Sequence, residues 1–297
     1  MEPVKTVTGQ TKLLGVIGNP IEHSISPELH NTLSAVLEND IIYLPFRVDM
    51  NNIGTAIEGL IALGFLGFNV TIPFKEKVLK YLDKISWEAE LIGAVNTIKI
   101  TDCKLYGFNT DAEGFYRSFK RETGTDFKDK CVLVLGAGGA ARAISIKVAL
   151  EGASCVYIVN RSVEKAENIC SVINKNINKV AKACGYDCMK GISSLSDVII
   201  NTTPLGMYPN TELSPINDSD FFEFFKENQI IVDIIYNPVK SRFLSNGEKL
   251  GSKTVNGLGM LFYQGIYAYE IWTGQIIESE VLDEVYNAYL KILENKD

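Results

Sequence analysis

The chain of 297 residues is 46% hydrophobic, more apolar material than one small core needs, so two domains of ~100–200 residues are expected. Twenty-nine basic against 36 acidic residues leave a net charge of −7 with no long basic run, which argues against nucleic acid as a partner. No apolar stretch reaches the ~18 residues of a membrane span, and the N-terminal MEPVKTVTGQTK carries no apolar targeting core, so no membrane partner is expected either. Six scattered cysteines (103, 131, 155, 170, 184, 188) read as small hydrophobes in reducing cytosol. Cys184 and Cys188 have the spacing of half a metal site, but both histidines lie far away in sequence and no metal is expected.

Residues 13–17 form a short apolar strand that runs into Gly18-Asn19-Pro20-Ile21-Glu22-His23-Ser24-Ile25-Ser26-Pro27, a loop dense in turn formers. Ser26 reads as the N-cap, and Pro27 as the first residue, of a helix continuing over 28–38. Capping accounts for Ser26 alone. Asn19, His23 and Ser24 have no such reason, and several polar side chains on one strand-end loop point to a small polar ligand. A strand over 43–48, a helix over 51–63 and a strand over 65–70 follow, the last ending in Asn69-Val70-Thr71-Ile72-Pro73-Phe74-Lys75. A helix beyond Pro73 is expected to hold Lys75 and Lys77 in its first turns, against the dipole. A lysine at the carboxyl end of a strand suits anion binding or proton transfer, because desolvation lowers its pKa.

Residues 88–95 lead into Gly93-Ala94-Val95-Asn96-Thr97 and a hairpin (98–100 and 105–108, turning near Asp102), then Gly107-Phe108-Asn109-Thr110-Asp111. Thr110 and Glu113 fit a capping box that puts Asp111 in a first helical turn. Acids are favoured there on structural grounds alone, and the same position leaves the carboxylate able to accept from a substrate hydroxyl. A helix over 115–120 and a polar linker over 122–130 come next.

Cys131–Leu135 reads as a strand buried on both faces. It meets Gly136-Ala137-Gly138-Gly139-Ala140-Ala141 and a helix-forming run over 142–150. In such a turn Gly136 permits the sharp bend, Gly138 the close approach of a pyrophosphate, and Ala141 tight helix packing, with phosphate on the helix N-terminus. A second strand, Cys155–Val159, ends in Asn160-Arg161-Ser162, 24 residues beyond Gly136, near the ~20 expected for the adenosine-ribose contact. An acid there would select NAD; a neutral and then basic pair, with Ser162 and Lys165 behind it, selects NADP. Strands over 195–201, 230–235 and 253–255 follow, the first ending in Thr202-Thr203-Pro204-Leu205-Gly206-Met207, a turn able to flank a nicotinamide, and the second in Tyr236-Asn237-Pro238. Two amphipathic helices, 257–272 and 278–295, close the chain. Gln264 stands inside the apolar run of the first; pattern alone does not decide between an exposed turn and a cleft-facing role. Strands alternating with helices mean an α/β fold with a doubly wound parallel sheet and ligands outside its carboxyl ends.

Taken together these loops resemble shikimate dehydrogenases: GNPIEHSISPELHN (18–31), FNVTIPFKEKV (68–78), GAVNTI (93–98), GFNTD (107–111), VLGAGGAARA (134–143), NRS (160–162), NTTPLGM (201–207), DIIYNP (233–238) and NGLGMLFYQG (256–265), in the family's order. The resemblance implies a reversible, NADPH-dependent reduction of 3-dehydroshikimate to shikimate by a cytoplasmic monomer or homodimer. It implies a substrate domain over 1–111 plus 257–297 and a Rossmann-like NADP domain over 112–256. Ser24, Ser26 and Tyr236 would bind the substrate carboxylate, and Thr71, Asn96 and Gln264, with Lys75 and Asp111, the ring hydroxyls and carbonyl. Lys75 and Asp111 would be the proton-transfer pair. Gly136, Ala137, Gly138, Gly139 and Ala140 would hold the pyrophosphate, Asn160, Arg161, Ser162 and Lys165 the adenosine end, and Thr202 and Gly257 the nicotinamide. The family more often has threonine and arginine where this chain has Ser162 and Lys165; lysine keeps the charge but not the bidentate fork. The rival readings are an NAD-preferring quinate/shikimate dehydrogenase, which Asn160-Arg161 opposes, a non-catalytic sensor, which should lack Lys75 or Asp111, and a similar two-domain enzyme acting on folates or amino acids, to which the Ser24/Ser26 loop gives no support.

Overall fold

The computed structural model describes residues 7–294. Six residues of the N-terminal stretch and Asn295, the expected end of the last helix, lie outside the described residues. In chain order the elements are β1 (Lys12–Gly18), α1 (Ser26–Val36), β2 (Ile41–Arg47), α2 (Ile53–Ala62), β3 (Gly67–Val70), β4 (Lys84–Ile85), α3 (Trp87–Ile92), β5 (Thr97–Thr101), β6 (Lys104–Phe108) and α4 (Thr110–Thr123). Then come β7 (Cys131–Leu135), α5 (Gly139–Leu150), β8 (Cys155–Val159), α6 (Val163–Asn176), β9 (Ala181–Cys184), α7 (Met189–Ser193), β10 (Val198–Asn201), α8 (Asp218–Phe224), β11 (Ile230–Asp233), α9 (Arg242–Leu250), β12 (Lys253–Val255), α10 (Leu258–Thr273) and α11 (Ser279–Glu294). Among the described residues no helix is long and apolar enough to cross a membrane.

The chain forms two compact units, one running up to Thr110 and resuming at Gly265, the other Asp111–Gln264. Both boundaries differ from those read in the sequence: Asp111 and residues 257–264 belong to the second unit. The reason lies in α4. A Cβ on Gly114 would stand 2.5 Å from the backbone N of Gln264, and one on Gly259 would stand 2.1 Å from Ser118 Oγ, so the first turns of α10 are packed against α4. Arg121 Nη1 adds a 2.7 Å bond to Tyr263 Oη.

The first unit carries a mixed sheet, β2-β1-β3-β5-β6-β4, parallel through β2-β1-β3 and antiparallel at β3-β5 and β5-β6. The antiparallel part follows from the short β5–β6 hairpin, whose two turn residues, Asp102 and Cys103, both have positive φ, as a tight primed turn requires. Phe68, Phe74, Val78, Val95 and Ile98 centre its core. The second unit is a six-stranded, wholly parallel sheet in the order β12-β11-β10-β7-β8-β9. Its central strands, VIIN of β10 and VLVL of β7, are buried throughout, because helices cover both faces. The chain turns outward in opposite directions from β7 and β10, so the crevice between their carboxyl ends is the switch point where such sheets take ligands.

All six cysteines are unpaired. Cys103 and Cys188 are exposed, whereas burial raises the thiols of Cys131 and Cys170 to about 12 and that of Cys184 to about 11.

Candidate active site

In the first unit, chain reversal at β1 puts the loops after β1 and β3 side by side. Thr71 N–H donates to Ile17 O and Asn19 N–H to Ile72 O, both at 3.0 Å. Gly18 is required there, because a Cβ would meet Thr71 Cγ2 at 2.4 Å. Ser24, Thr71 and Lys75 lie on these two loops and Ser26 is the first residue of α1, all partly exposed. Ser26 is not the N-cap. It is already helical, Ile25 holds the cap position without a side-chain bond, and Ser24 Oγ accepts from Ser26 N–H at 3.4 Å. The Ser26 hydroxyl lies near the Tyr43 phenol. Of the loop's other polar residues, Asn19 Nδ2 is turned onto Asp49 at 3.2 Å.

Lys75 does not open an α-helix either. It sits in a turn after β3, and Val95 N–H takes its carbonyl at 2.9 Å, so Leu79 N–H bonds Glu76 O and a short 3-10 helix, Lys77–Tyr81, forms instead. The fully buried Phe74 anchors the turn. Asn96 is buried, with its side chain spent on the chain itself: Oδ1 accepts from Thr110 N–H at 2.7 Å and Nδ2 donates to Thr110 Oγ1 at 3.0 Å. It thereby fixes the peptide that precedes Asp111. Glu113 directs its two oxygens to Arg117 at 2.9 Å and Lys147 at 2.7 Å, an ion-pair role in place of the reciprocal half of a capping box. Asp111 is in the first turn of α4, half-buried.

The sequence reading passed over the polar residues beneath these loops. Tyr43 Oη donates to Asn69 Oδ1 at 2.7 Å, and Asn69 Nδ2 donates to Asn96 O and Thr97 Oγ1, both at 2.9 Å. His30 stacks on Tyr43 with ring centroids 4.3 Å apart. The signal was an asparagine and a histidine at core positions of a strand and a helix.

In the second unit the turn after β7 fits a dinucleotide. Gly136 has φ +108°, and a Cβ there would meet Thr202 Oγ1 at 2.7 Å, while nothing lies within 4 Å of a Cβ on Gly138 or Gly139. The open cradle of residues 136–140 faces the first-turn N–H groups of α5, which have no intrahelical acceptor. The helix starts at Gly139, three residues ahead of the expected run, with Gly138 as N-cap and Ala141 fully buried. Thr202 Oγ1 donates to Leu135 O at 2.6 Å, tying the ends of β10 and β7 together.

At the end of β8, Asn160 Nδ2 donates to Ser162 O at 2.9 Å, and Arg161, Ser162 and Lys165 are exposed. Ser162 is the N-cap residue of α6 but makes no side-chain cap bond. Tyr186, after the unforeseen strand β9, has its phenol raised by burial, partly opposed by the Arg161 charge beside it. Beyond β10 and β11 a cavity of about 390 Å³ is lined by residues 202–204, 207–208 and 234–237, including the exposed Tyr236. Gly257 N–H donates to Ile235 O at 3.0 Å, and a Cβ there would be 2.0 Å from Ile234 O. Gln264 Nε2 donates to Leu261 O at 2.9 Å within α10.

A parallel sheet with a glycine turn at its switch point, in a chain whose other α/β unit carries polar strand-end loops, defines a nicotinamide-nucleotide-dependent oxidoreductase. Sequence profiles of the shikimate dehydrogenase substrate binding domain, of shikimate / quinate 5-dehydrogenase and of the shikimate 5'-dehydrogenase C-terminal domain match residues 16–98, 118–234 and 257–281. The shikimate dehydrogenase (NADP(+)) of Methanopyrus kandleri is 41% identical over 288 residues, 96% of this chain and 98% of that one. A crystal structure of a shikimate dehydrogenase in complex with NADP+ superposes with TM-score 0.84 at 40% identity, covering 95% of this chain and 97% of the other. The 5-ketofructose reductase of Gluconobacter sp. strain CHM43 superposes with TM-score 0.86 at 34% identity, covering 95% and 99%. The chain belongs to the shikimate dehydrogenase family.

Proposed function

We propose that the protein catalyses the reversible NADPH-dependent reduction of 3-dehydroshikimate to shikimate. The observation that carries this reading is full-length likeness to NADP(+)-dependent shikimate dehydrogenases, together with strand-end loops that bear Ser24, Thr71, Lys75 and Asn160-Arg161. Bound NADPH supplies a hydride to the C3 carbonyl. The chain's own residues bind, orient and move the proton: Ser24, Ser26 and Tyr236 take the substrate carboxylate, Thr71, Asn96 and Gln264 the ring, Lys75 delivers the proton to the developing alkoxide, and Asp111 accepts from the adjacent hydroxyl. Because the Asn96 side chain already serves Thr110, its part is chiefly to hold the entry to α4. The unit up to Thr110 with Gly265 onward carries Ser24, Ser26, Thr71, Lys75 and Asn96, and the other binds NADP and carries Asp111, Tyr236 and Gln264. Six unpaired thiols support a reducing, cytoplasmic setting, and the partners are small molecules, with the protein acting as a monomer or homodimer.

The test follows absorbance at 340 nm with shikimate or quinate and NADP+ or NAD+, and with 5-ketofructose and NADPH. Rapid turnover with shikimate and NADP+ alone is expected. Comparable rates with quinate or NAD+ would transfer the protein to the catabolic branch, and reduction of 5-ketofructose alone would replace the substrate.

The exposed Arg161 is expected to meet the 2′-phosphate. Arg161→Ala should raise KM for NADP+ roughly ten- to a hundredfold, the loss of one charge-assisted hydrogen bond, and KM for NAD+ by less than about threefold. An equal rise for both cofactors would instead assign the guanidinium to the adenine face.

A further inference from the structure

The second unit contains a buried carboxylate that none of these roles uses. Asp233 closes β11 with no exposed surface, and both of its oxygens are engaged. Oδ1 accepts from Asn201 Nδ2 at 3.0 Å and from Ile235 N–H at 3.1 Å, and Oδ2 accepts from Ser241 Oγ at 2.6 Å. Each partner leads elsewhere. Asn201 uses its own Oδ1 to hold Thr203, accepting from the backbone N–H at 3.0 Å and from the hydroxyl at 2.7 Å. Ile235 precedes Tyr236 and passes its carbonyl to Gly257 N–H at 3.0 Å. Ser241 caps α9 by accepting from Leu244 N–H at 3.3 Å. Two stretches of the wall of the 390 Å³ cavity, at Thr203 and at Ile235, are thereby tied to one side chain.

A carboxylate is a costly way to fill the end of a buried strand, and an apolar residue would serve packing alone. Burial pushes the Asp233 carboxyl up to about 6, against the three hydrogen bonds that favour its charged form. Buried groups of this kind can fix an arrangement that packing alone does not.

We propose that Asp233 is a positioning residue for hydride transfer, tying the turn at Thr203, the strand end at Tyr236 and the backbone of Gly257 to one carboxylate. The inference rests on the function proposed above. Misplacement of reacting groups by about 1 Å costs ~10²-fold in rate, so the effect should fall on turnover and leave the adenosine end of the cofactor alone.

The experiment compares wild type, Asp233→Ala and Asp233→Asn. For the alanine variant kcat with shikimate should fall at least about thirtyfold, NADPH Kd should stay within about threefold, and the primary deuterium isotope effect from C4-labelled NADPH should rise. Asparagine keeps an acceptor for Asn201 and Ile235, and should restore most of that loss. Alanine and asparagine variants within twofold of wild type overturn the proposal. So does a loss of activity matched by an equal loss of NADPH binding at an unchanged isotope effect, which is what a merely structural role produces. Should Asp233→Ala not fold, amide exchange in Asp233→Ser, which keeps a polar atom but loses both carboxylate oxygens, decides: exchange at Thr203, Ile235 and Gly257 faster than wild type, with β7 and β8 unchanged, upholds the ties, and unaltered exchange overturns them. A wild-type enzyme inactive with shikimate and NADP+ would reject the proposed function, and the exchange comparison would still judge Asp233.

Discussion

Replacing Lys75 with alanine is expected to lower kcat for shikimate oxidation by ~10²–10⁴-fold, the value of general acid–base catalysis by one positioned group, while KM changes by less than about threefold. The size of the effect depends on the backbone staying where it is. Here it should: Lys75 O is held by Val95 N–H at 2.9 Å, Phe74 N–H bonds Thr71 O at 2.9 Å, and the Phe74 ring is fully buried. Truncation then removes the side-chain amine and leaves the turn that carries it in place. Steady-state kinetics in both directions, with circular dichroism to verify folding, make the check. A large rise in KM at unchanged kcat would reduce Lys75 to a binding group and leave the proton donor unassigned. Lys75→Arg sharpens the comparison, because it keeps the charge but cannot give up a proton; it should stay close to the alanine variant.

The second large effect concerns acid. His30 is fully buried, and burial lowers its imidazole pKa to about 3. Neither ring nitrogen has a hydrogen-bond partner, and the neighbouring Asn69 amide, committed to Tyr43 and Thr97, only partly opposes the shift. An unfolded histidine titrates near 6.5. Between those two values the unfolded chain binds a proton that the folded chain refuses, so the contribution is fully present above pH ~6.5 and is lost as pH falls towards 3. The slope is about 1.4 kcal/mol per pH unit for this one group. Asp233 has the opposite sign: with its carboxyl raised to about 6, its contribution is present below the ordinary value near 3.9 and lost as pH rises through 6. A subtraction separates the two. Urea unfolding of wild type and His30→Phe at pH 7, 6, 5 and 4 should give parallel values above 6.5 and a growing relative advantage for the variant below it, whatever its starting stability. Curves that remain parallel down to pH 4 would mean that His30 is protonated in the native state.

Much of the second sheet was legible because its physics is local. β7 and β8 match their expected bounds, since a buried parallel strand is a short run of branched residues stopped by glycine or asparagine; β12, an edge strand with only Val255 buried, matches as well. The phosphate turn was legible for the same reason. Strand β9, AKAC, was missed because it is short, carries a charge and lacks that composition. The errors on the first unit arose where distant partners outvoted local preference. Ser26 and Pro27 have the sequence of a helix start, but Ser26 is already helical and Ser24 supplies the acceptor for its N–H. Pro73 looks like another start, yet Val95 takes the carbonyl that an α-helix at Lys75 would use. Asn69 and His30 were invisible as a pair, because only β2 and its Tyr43 bring them together. The candidate ligand-binding side chains were thus named from motif, while the buried polar residues that hold them were not.

The distribution of thiols has a practical use. Cys103, in the β5–β6 turn, and Cys188, in the 3-10 turn after β9, are exposed, and they fall one in each unit. Cys131, Cys170 and Cys184 are kept protonated by burial at any pH used for thiol labelling, and a protonated thiol is a poor nucleophile. Once the partly exposed Cys155 is replaced, the chain has one attachment point in each unit for a fluorescence or spin-label ruler, with which any rearrangement on ligand addition can be followed in solution.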